Sequence, residues 1–250
     1  MDEKPDIVAE PKSVLYEAPD RTRSGPIASE NTGAIEYEKQ LDQDLRWALN
    51  EGSRHFEENS AVFKALRKIA HTLNELEIPY AVVGGMALFM HGLRRFTEDV
   101  DILVTRNALA TIHDKLDGRG YRPPFAKSKN LRDTEFGVRI EFLISGEYPG
   151  DGKPKPVAFP EPQIVSVNCD GVHYIRLSKL LELKLASGMT EPTTRMKDLA
   201  DVVELIKVLQ LPLDIAEELD PSVRQRFVEY WNQLADSNSG MLTNDGADKE

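Results

Sequence analysis

The sequence predicts a mixed α and β (α+β) protein, a small mixed sheet flanked by helices and followed by a C-terminal helical unit. Three observations carry this. Val62, Phe63, Leu66, Ile69, Leu73 and Leu76 recur at helical spacing. Val100, Ile102 and Val104 alternate with other positions as strand residues do. From Ser178 onward the apolar runs keep helical rather than strand periodicity.

The elements follow in order. Residues 1–36 carry Pro5, Pro11, Pro19 and Pro26 among scattered charges with no sustained hydrophobic period, the pattern of a disordered or extended tail. Tyr37 to Asn50 is expected as one helix. Ser60 is suited to cap the next, which Pro79 stops. Tyr80 to Val83 is β-prone and ends at Gly84-Gly85, and Met86 to His91 is a short helix closed by Gly92. The strand through Val100 is followed by a helix that Asn107 is expected to cap. Phe136 to Ile144 is a further strand. Pro149 to Pro162 is a loop, and Ile164 to Asn168 with Val172 to Ile175 flank a turn at Cys169-Asp170-Gly171. Helices are expected over Ser178 to Ser187, Arg195 to Leu209, and Pro221 to Ala235 with Asp220 as cap. The resulting organisation is a tail (1–36), a core with preceding helices (37–175), a helical unit (176–235) and a flexible tail (236–250).

Composition narrows the function. The chain has 250 residues, 40% of them hydrophobic, enough for a core and about one or two domains. No apolar run reaches the roughly 18–20 residues of a membrane helix. Met1 to Asp6 has neither the basic nor the apolar region of a secretory signal. The single cysteine, Cys169, excludes an internal disulfide and a multi-cysteine zinc site, and a reducing cytoplasm is the expected location. A net charge of −11 argues against whole-protein attraction to nucleic acid but leaves room for a local basic patch. The five histidines form no paired ligand motif, and no Gly-Lys-Ser/Thr marks a P-loop.

The informative stretch is Val83-Gly84-Gly85 followed by Arg95-Phe96-Thr97-Glu98-Asp99-Val100-Asp101. On a strand Asp99 and Asp101 point to one face, with Cα atoms about 6.5–7 Å apart. Two carboxylates so held repel each other, and a hard divalent cation with oxygen ligands relieves the repulsion. Glu141 lies within the apolar strand Arg139 to Leu143. If that strand pairs beside the first, three carboxylates converge. Gly84-Gly85 sits where a strand hands over to a helix, and glycine lets backbone approach a phosphate. Taken singly, Gly-Gly is a turn, Asp-x-Asp a solvated edge and Glu141 an exposed strand position. Their order along the chain is much more specific than any one of them.

That order resembles the signature of the nucleotidyltransferase fold, the DNA polymerase β-like superfamily: Gly-Gly, a spacer, Asp-apolar-Asp, and an acid on a later strand. The resemblance implies a nucleotidyltransferase-fold core in which Asp99, Asp101 and Glu141 hold one or two Mg²⁺ ions and Gly84 and Gly85 cradle phosphate. Glu141 stands where an Asp is commoner. In the helical half, Lys184 lies in an apolar run, and Asp198 and Asp201 share a helix face. From residue chemistry alone the simpler reading is that Lys184 snorkels and the acids pair with Arg195 or Lys197 as surface salt bridges. The half is similar to the AbiEii-like branch of the superfamily, which implies Lys184 as a nucleotide contact and Asp198 as a positioning acid. The resemblance spans roughly residues 60 to 208.

Arg95 and Thr97 share the parity of Asp99 and Asp101 and are expected on the nucleotide side, with an ion pair to Glu98 or Glu141 as the alternative for Arg95. Arg119, Arg122, Lys127, Lys129 and Arg132, interleaved with Tyr121 and Phe125, form a basic stretch suited either to an RNA or nucleotide acceptor or to a solvated loop. The implied activity is transfer of a nucleoside monophosphate from an NTP to a hydroxyl of RNA, particularly tRNA, or of a protein, as a toxin opposed by an antitoxin partner. Two other functions stay open: a catalytically inactive nucleotide- or protein-binding module, and an antibiotic nucleotidyltransferase acting on a small molecule.

Overall fold

The computed structural model describes residues 36–241, so the tail expected over residues 1–35 lies outside the described residues. Helix α1 spans Tyr37–Gln43 and α2 Leu45–Phe56. The single helix expected here is broken because the Asp44 carboxylate accepts from the Trp47 amide, capping a new helix in mid-pattern. Helix α3 (Ala61–Glu75) begins as expected, with Ser60 Oγ accepting from the Phe63 amide. It ends at Glu75, short of Pro79, and Glu77 just beyond it has a φ of +54°.

A seven-stranded mixed sheet follows: β1 (Ala81–Val82), β2 (Asp99–Val104), β3 (Tyr121–Arg122), β4 (Leu131–Asp133), β5 (Arg139–Ile144), β6 (Ser166–Cys169) and β7 (Val172–Ile175). Their spatial order is β3-β4-β5-β2-β1-β7-β6. Strand β2 runs parallel to β5 and antiparallel to β1, so the acid-bearing strands occupy the middle of the sheet. Helix α4 (Gly84–Met90) starts at the glycine pair, two residues earlier than its apolar pattern indicates. At its far end the His91 ring donates Nε2–H to the Ile175 carbonyl, 2.7 Å away, tying the helix to β7.

Helix α5 (Arg106–Leu116) is capped by Thr105, whose hydroxyl accepts from the Ala108 amide; Asn107, the expected cap, lies inside the helix. A short α6 (Pro162–Val165) takes up Ile164, expected in a strand. Helices α7 (Leu177–Thr190), α8 (Met196–Leu209) and α9 (Pro221–Met241) complete the fold. Helix α9 runs to Met241, past Ala235 where the flexible tail was expected to begin. One continuous core joins both halves: Ile69 of α3, Val100 and Ile102 of β2, Phe142 of β5, Leu181 of α7 and Phe227 of α9 are buried together. A fully buried Leu or Phe contributes about 1.5–3 kcal/mol, so this shared core holds the sheet and the helical half in one unit.

Candidate active site

The site is built on the middle of the sheet. Strands β2 and β5 pair in parallel register, with Asp99 opposite Arg139 and Asp101 opposite Glu141. Strand alternation puts Asp99, Asp101, Arg139 and Glu141 on one face, while Val100, Ile102, Ile140 and Phe142 fill the core on the other. The three carboxylates expected from sequence are therefore neighbours.

Asp101 is the centre of the group. Burial, and then the negative charges of Asp99 and Glu141, push its carboxyl up to about 7, against the opposing pull of Lys184 and Arg139. The nearby positive charges of Lys184 and Arg139 therefore offset burial and the two neighbouring acids only in part. Gly84 packs directly against this carboxylate: a Cβ there would overlap the Asp101 oxygen, and its φ of +58° is itself unfavourable for a side chain. Gly85 packs against Thr97, where a Cβ would fall 2.5 Å from the hydroxyl oxygen. Only glycine at both positions lets the start of α4 lie this close to the acids.

Thr97 Oγ1 donates to Asp99 Oδ1 at 3.1 Å and so orients that carboxylate. Arg139 bridges two of the acids, with Nη2 2.9 Å from Asp99 Oδ2 and Nε 3.1 Å from Glu141 Oε1. On its other side Nε lies 3.7 Å from Glu38 of α1. This bridging role was missed at the sequence level. An arginine two residues before Glu141, hence on the same strand face, was the available signal.

Hard oxygen donors on adjoining strands, with Asp101 held short of counter-charge, suit a divalent cation such as Mg²⁺. Among the described residues, however, no group of three or more acidic, histidine or cysteine side chains is gathered as a ready ligand set. The Arg139 guanidinium instead lies between Asp99 and Glu141.

The helical half supplies the facing wall. Lys184 Nζ lies 2.9 Å from Asp198 Oδ1 and 2.6 Å from Asp201 Oδ2. Ser187 Oγ donates to the other Asp198 oxygen at 2.7 Å. Burial tends to raise the Asp198 pKa, but the charge and hydrogen bond of Lys184, the Ser187 hydroxyl and the charge of Arg195 together hold it below the ordinary value. Arg95 reaches Asp201, with Nε 3.1 Å from Oδ1 and Nη2 3.2 Å from Oδ2. Its partner is thus neither Glu98 nor Glu141, and it braces α8 against the segment before β2. Asp201, 5% exposed, anchors both Arg95 and Lys184.

A cleft of about 710 Å³ lies between the two walls, bordered by Gly84, Asp101, Glu141, Lys184 and Asp198 and roofed by the loop after β5. Asp99, Gly85, Arg95 and Thr97 do not border it. In the basic stretch, Arg119, Arg122, Lys127 and Lys129 are exposed, as is Phe125. Tyr121 is buried in β3, and Arg132 is ion-paired to Glu38 at 2.7 Å, so neither belongs to an open basic surface.

A mixed sheet with glycines against a central aspartate, and three acids on its two middle strands, is the arrangement of a nucleotidyltransferase. Residues 12–235 match the model of a family described as uncharacterised nucleotidyltransferases, and the chain belongs to that family. The protein is accordingly an enzyme of the nucleotidyltransferase class. Its fold is similar to that of ANT(2″)-Ia, crystallised in complex with adenylyl-2″-tobramycin (12% identity, 67% of this chain and 97% of that chain, TM-score 0.45). It is also similar to an antigenic nucleotidyltransferase-like protein from Paracoccidioides brasiliensis (15% identity, 72% and 91%, TM-score 0.44) and to the Megavirus polyadenylate synthase (13% identity, 76% and 41%, TM-score 0.34). No curated protein matches the chain. Among the described residues, no helix is long and apolar enough to cross a membrane.

Proposed function

We propose that the protein transfers a nucleoside monophosphate from an NTP to a hydroxyl acceptor at the Asp101 cleft. The observation that carries this is the crowding of Asp101 by Asp99 and Glu141 beneath a glycine that leaves room for nothing larger. Asp99, Asp101 and Glu141 would hold one or two Mg²⁺ ions, which supply Lewis-acid neutralisation of the triphosphate and of the leaving pyrophosphate. The chain's own residues do the rest. Gly84 and Gly85 let backbone approach the phosphates. Thr97 fixes the rotamer of Asp99. Lys184 sets a positive charge in the wall facing Asp101, and Asp198 and Asp201 hold it there.

The acceptor in this proposal is RNA. Exposed Arg119, Arg122 and Lys127 with exposed Phe125 combine backbone-tracking charge with a stacking surface, and Lys129 of the same stretch borders the cleft. Lys184 and the Asp198-x-x-Asp201 helix start support placement in the AbiEii-like branch, with the role of a toxin opposed by an antitoxin. The lone Cys169 is in keeping with residence in a reducing cytoplasm.

The test is incubation with each NTP and Mg²⁺, with total RNA, tRNA, casein-type protein or an aminoglycoside as acceptor. Label from the α-phosphate should appear in RNA. Label in protein or in the small molecule would reassign the acceptor. Metal-dependent nucleotide binding without transfer to any acceptor would indicate a binding module.

A further inference from the structure

Three cationic side chains border the cleft: Lys129, Lys184 and Arg195. Lys184 is already neutralised, lying within 2.9 Å of both Asp198 and Asp201, themselves largely buried. Among the described residues, Lys129 and Arg195 make no side-chain ion pair or hydrogen bond within the chain. Both are exposed. Both nevertheless project from backbone that is firmly held. The Lys129 carbonyl accepts from His113 Nε2 at 3.1 Å, and its two neighbours are tied in as well. The Ser128 hydroxyl accepts from the Asn130 amide, and the Asn130 carbonyl oxygen Oδ1 accepts from the Phe142 amide on β5. Arg195 is the N-cap of α8, its amide donating to the Glu191 carbonyl at 2.8 Å and its carbonyl accepting from the Asp198 amide at 2.9 Å. Gly188 of α7 packs against that same carbonyl, 3.3 Å from where a Cβ would stand.

Charge supplies the rest. The chain is strongly acidic, and Asp101, Glu141 and Asp198 all border the cleft. A triphosphate entering it meets repulsion that the already paired Lys184 offsets only in part. Two exposed cations without an ion pair or side-chain hydrogen bond of their own, one from the sheet side and one from the helical side where its charge also acts on Asp198, are what an anionic chain of phosphates requires from the protein itself. We propose that Lys129 and Arg195 form a two-sided clamp on the β- and γ-phosphates of the incoming nucleotide. The clamp selects NTPs over nucleoside monophosphates. The inference builds on the nucleotide site proposed above and adds to it the residues that read phosphate number.

The experiment is calorimetric titration of ATP, GTP, CTP and UTP, and of the four corresponding monophosphates, in the presence of Mg²⁺. It uses the full chain, Lys129→Met, Arg195→Met, and the charge-keeping Lys129→Arg and Arg195→Lys. Each Met variant should bind the preferred NTP about tenfold more weakly, as expected for losing one charge-assisted phosphate contact. Its monophosphate affinity should be unchanged, and the charge-keeping variants should recover most of the loss. Met variants that bind the NTP like the parent, or that lose NTP and monophosphate affinity alike, would overturn the clamp while leaving the nucleotide site intact. Failure of the parent chain itself to bind any NTP would overturn the nucleotide site and the clamp with it. Because both side chains are exposed, unfolding is not a competing explanation, and matched melting temperatures verify this.

Discussion

Asp101 and Glu141 stand directly opposite each other on neighbouring parallel strands, on the face of the sheet that borders the cleft. Burial of Asp101 and the like charges of Asp99 and Glu141 outweigh the pull of Lys184 and of Arg139, which is itself ion-paired to Glu141 and Asp99. The consequence is a carboxyl pushed up to about 7.

That shift fixes a sign for stability. Below the ordinary value of 3.8 Asp101 is protonated whether the chain is folded or not. Between there and about 7 the folded state holds a proton that the unfolded state has lost, so stability falls as pH rises across this window. Asp101→Asn removes the penalty. In EDTA the variant should melt higher than the parent at pH 8, on the order of 5 °C, with the difference shrinking toward pH 4. Thermal melts across this range measure it, and an equal or lower melting temperature at pH 8 counts against the charge crowding.

Gly84→Ala and Gly52→Ala make a matched pair. At Gly84 a methyl would overlap the Asp101 carboxylate and sit at positive φ, so a loss of about 1–3 kcal/mol and of nucleotide binding is expected. At Gly52, inside α2, nothing lies within 4 Å of the new methyl, and the change should stabilise by about 0.5–1 kcal/mol. Denaturant melts of the two variants give both numbers.

Lys184→Met strands Asp201 and Asp198 without their shared cation. Breaking such a buried pair costs about 3–5 kcal/mol. The depressed pKa of Asp198 means its stabilisation is present above its ordinary value and is lost as pH falls through the lowered one. In the variant that loss should begin at higher pH. Adding Asp198→Asn to Lys184→Met should cost less than the sum of the two single changes, read from a double-mutant cycle.

Arg139→Gln tests the competition between guanidinium and metal. Freed of Arg139, Asp99 and Glu141 should bind Mg²⁺ or Mn²⁺ several-fold more tightly by titration calorimetry, at some cost to stability without metal. Weaker metal binding in the variant would make Arg139 a support for the ligands rather than a rival.

Much of this site was legible in the sequence because the information is local. Alternation along β2 places Asp99 and Asp101 on one face, and the glycine pair marks the turn before α4. The pairing of Glu141 with Asp101 depended on which strands are neighbours, which alternation alone does not state. Asp201 carries no local sign of anchoring both Arg95 and Lys184, because Arg95 lies in a different part of the chain. Strands β3 and β4 escaped notice because they are two and three residues long and expose Arg122 beside buried Tyr121. A hydrophobic period has too few residues there to register. The break at Asp44 was hidden because helical spacing continues across it, and only the side-chain cap separates α1 from α2.

The most direct test of the central claim is transfer of label from the α-phosphate of an NTP to RNA, in Mg²⁺, by the parent chain and by Asp101→Asn. Label should reach the RNA with the parent, not with the variant, and not from a γ-labelled NTP. Equal labelling by parent and variant, or label arriving only from the γ-phosphate, would contradict nucleotidyl transfer at Asp101.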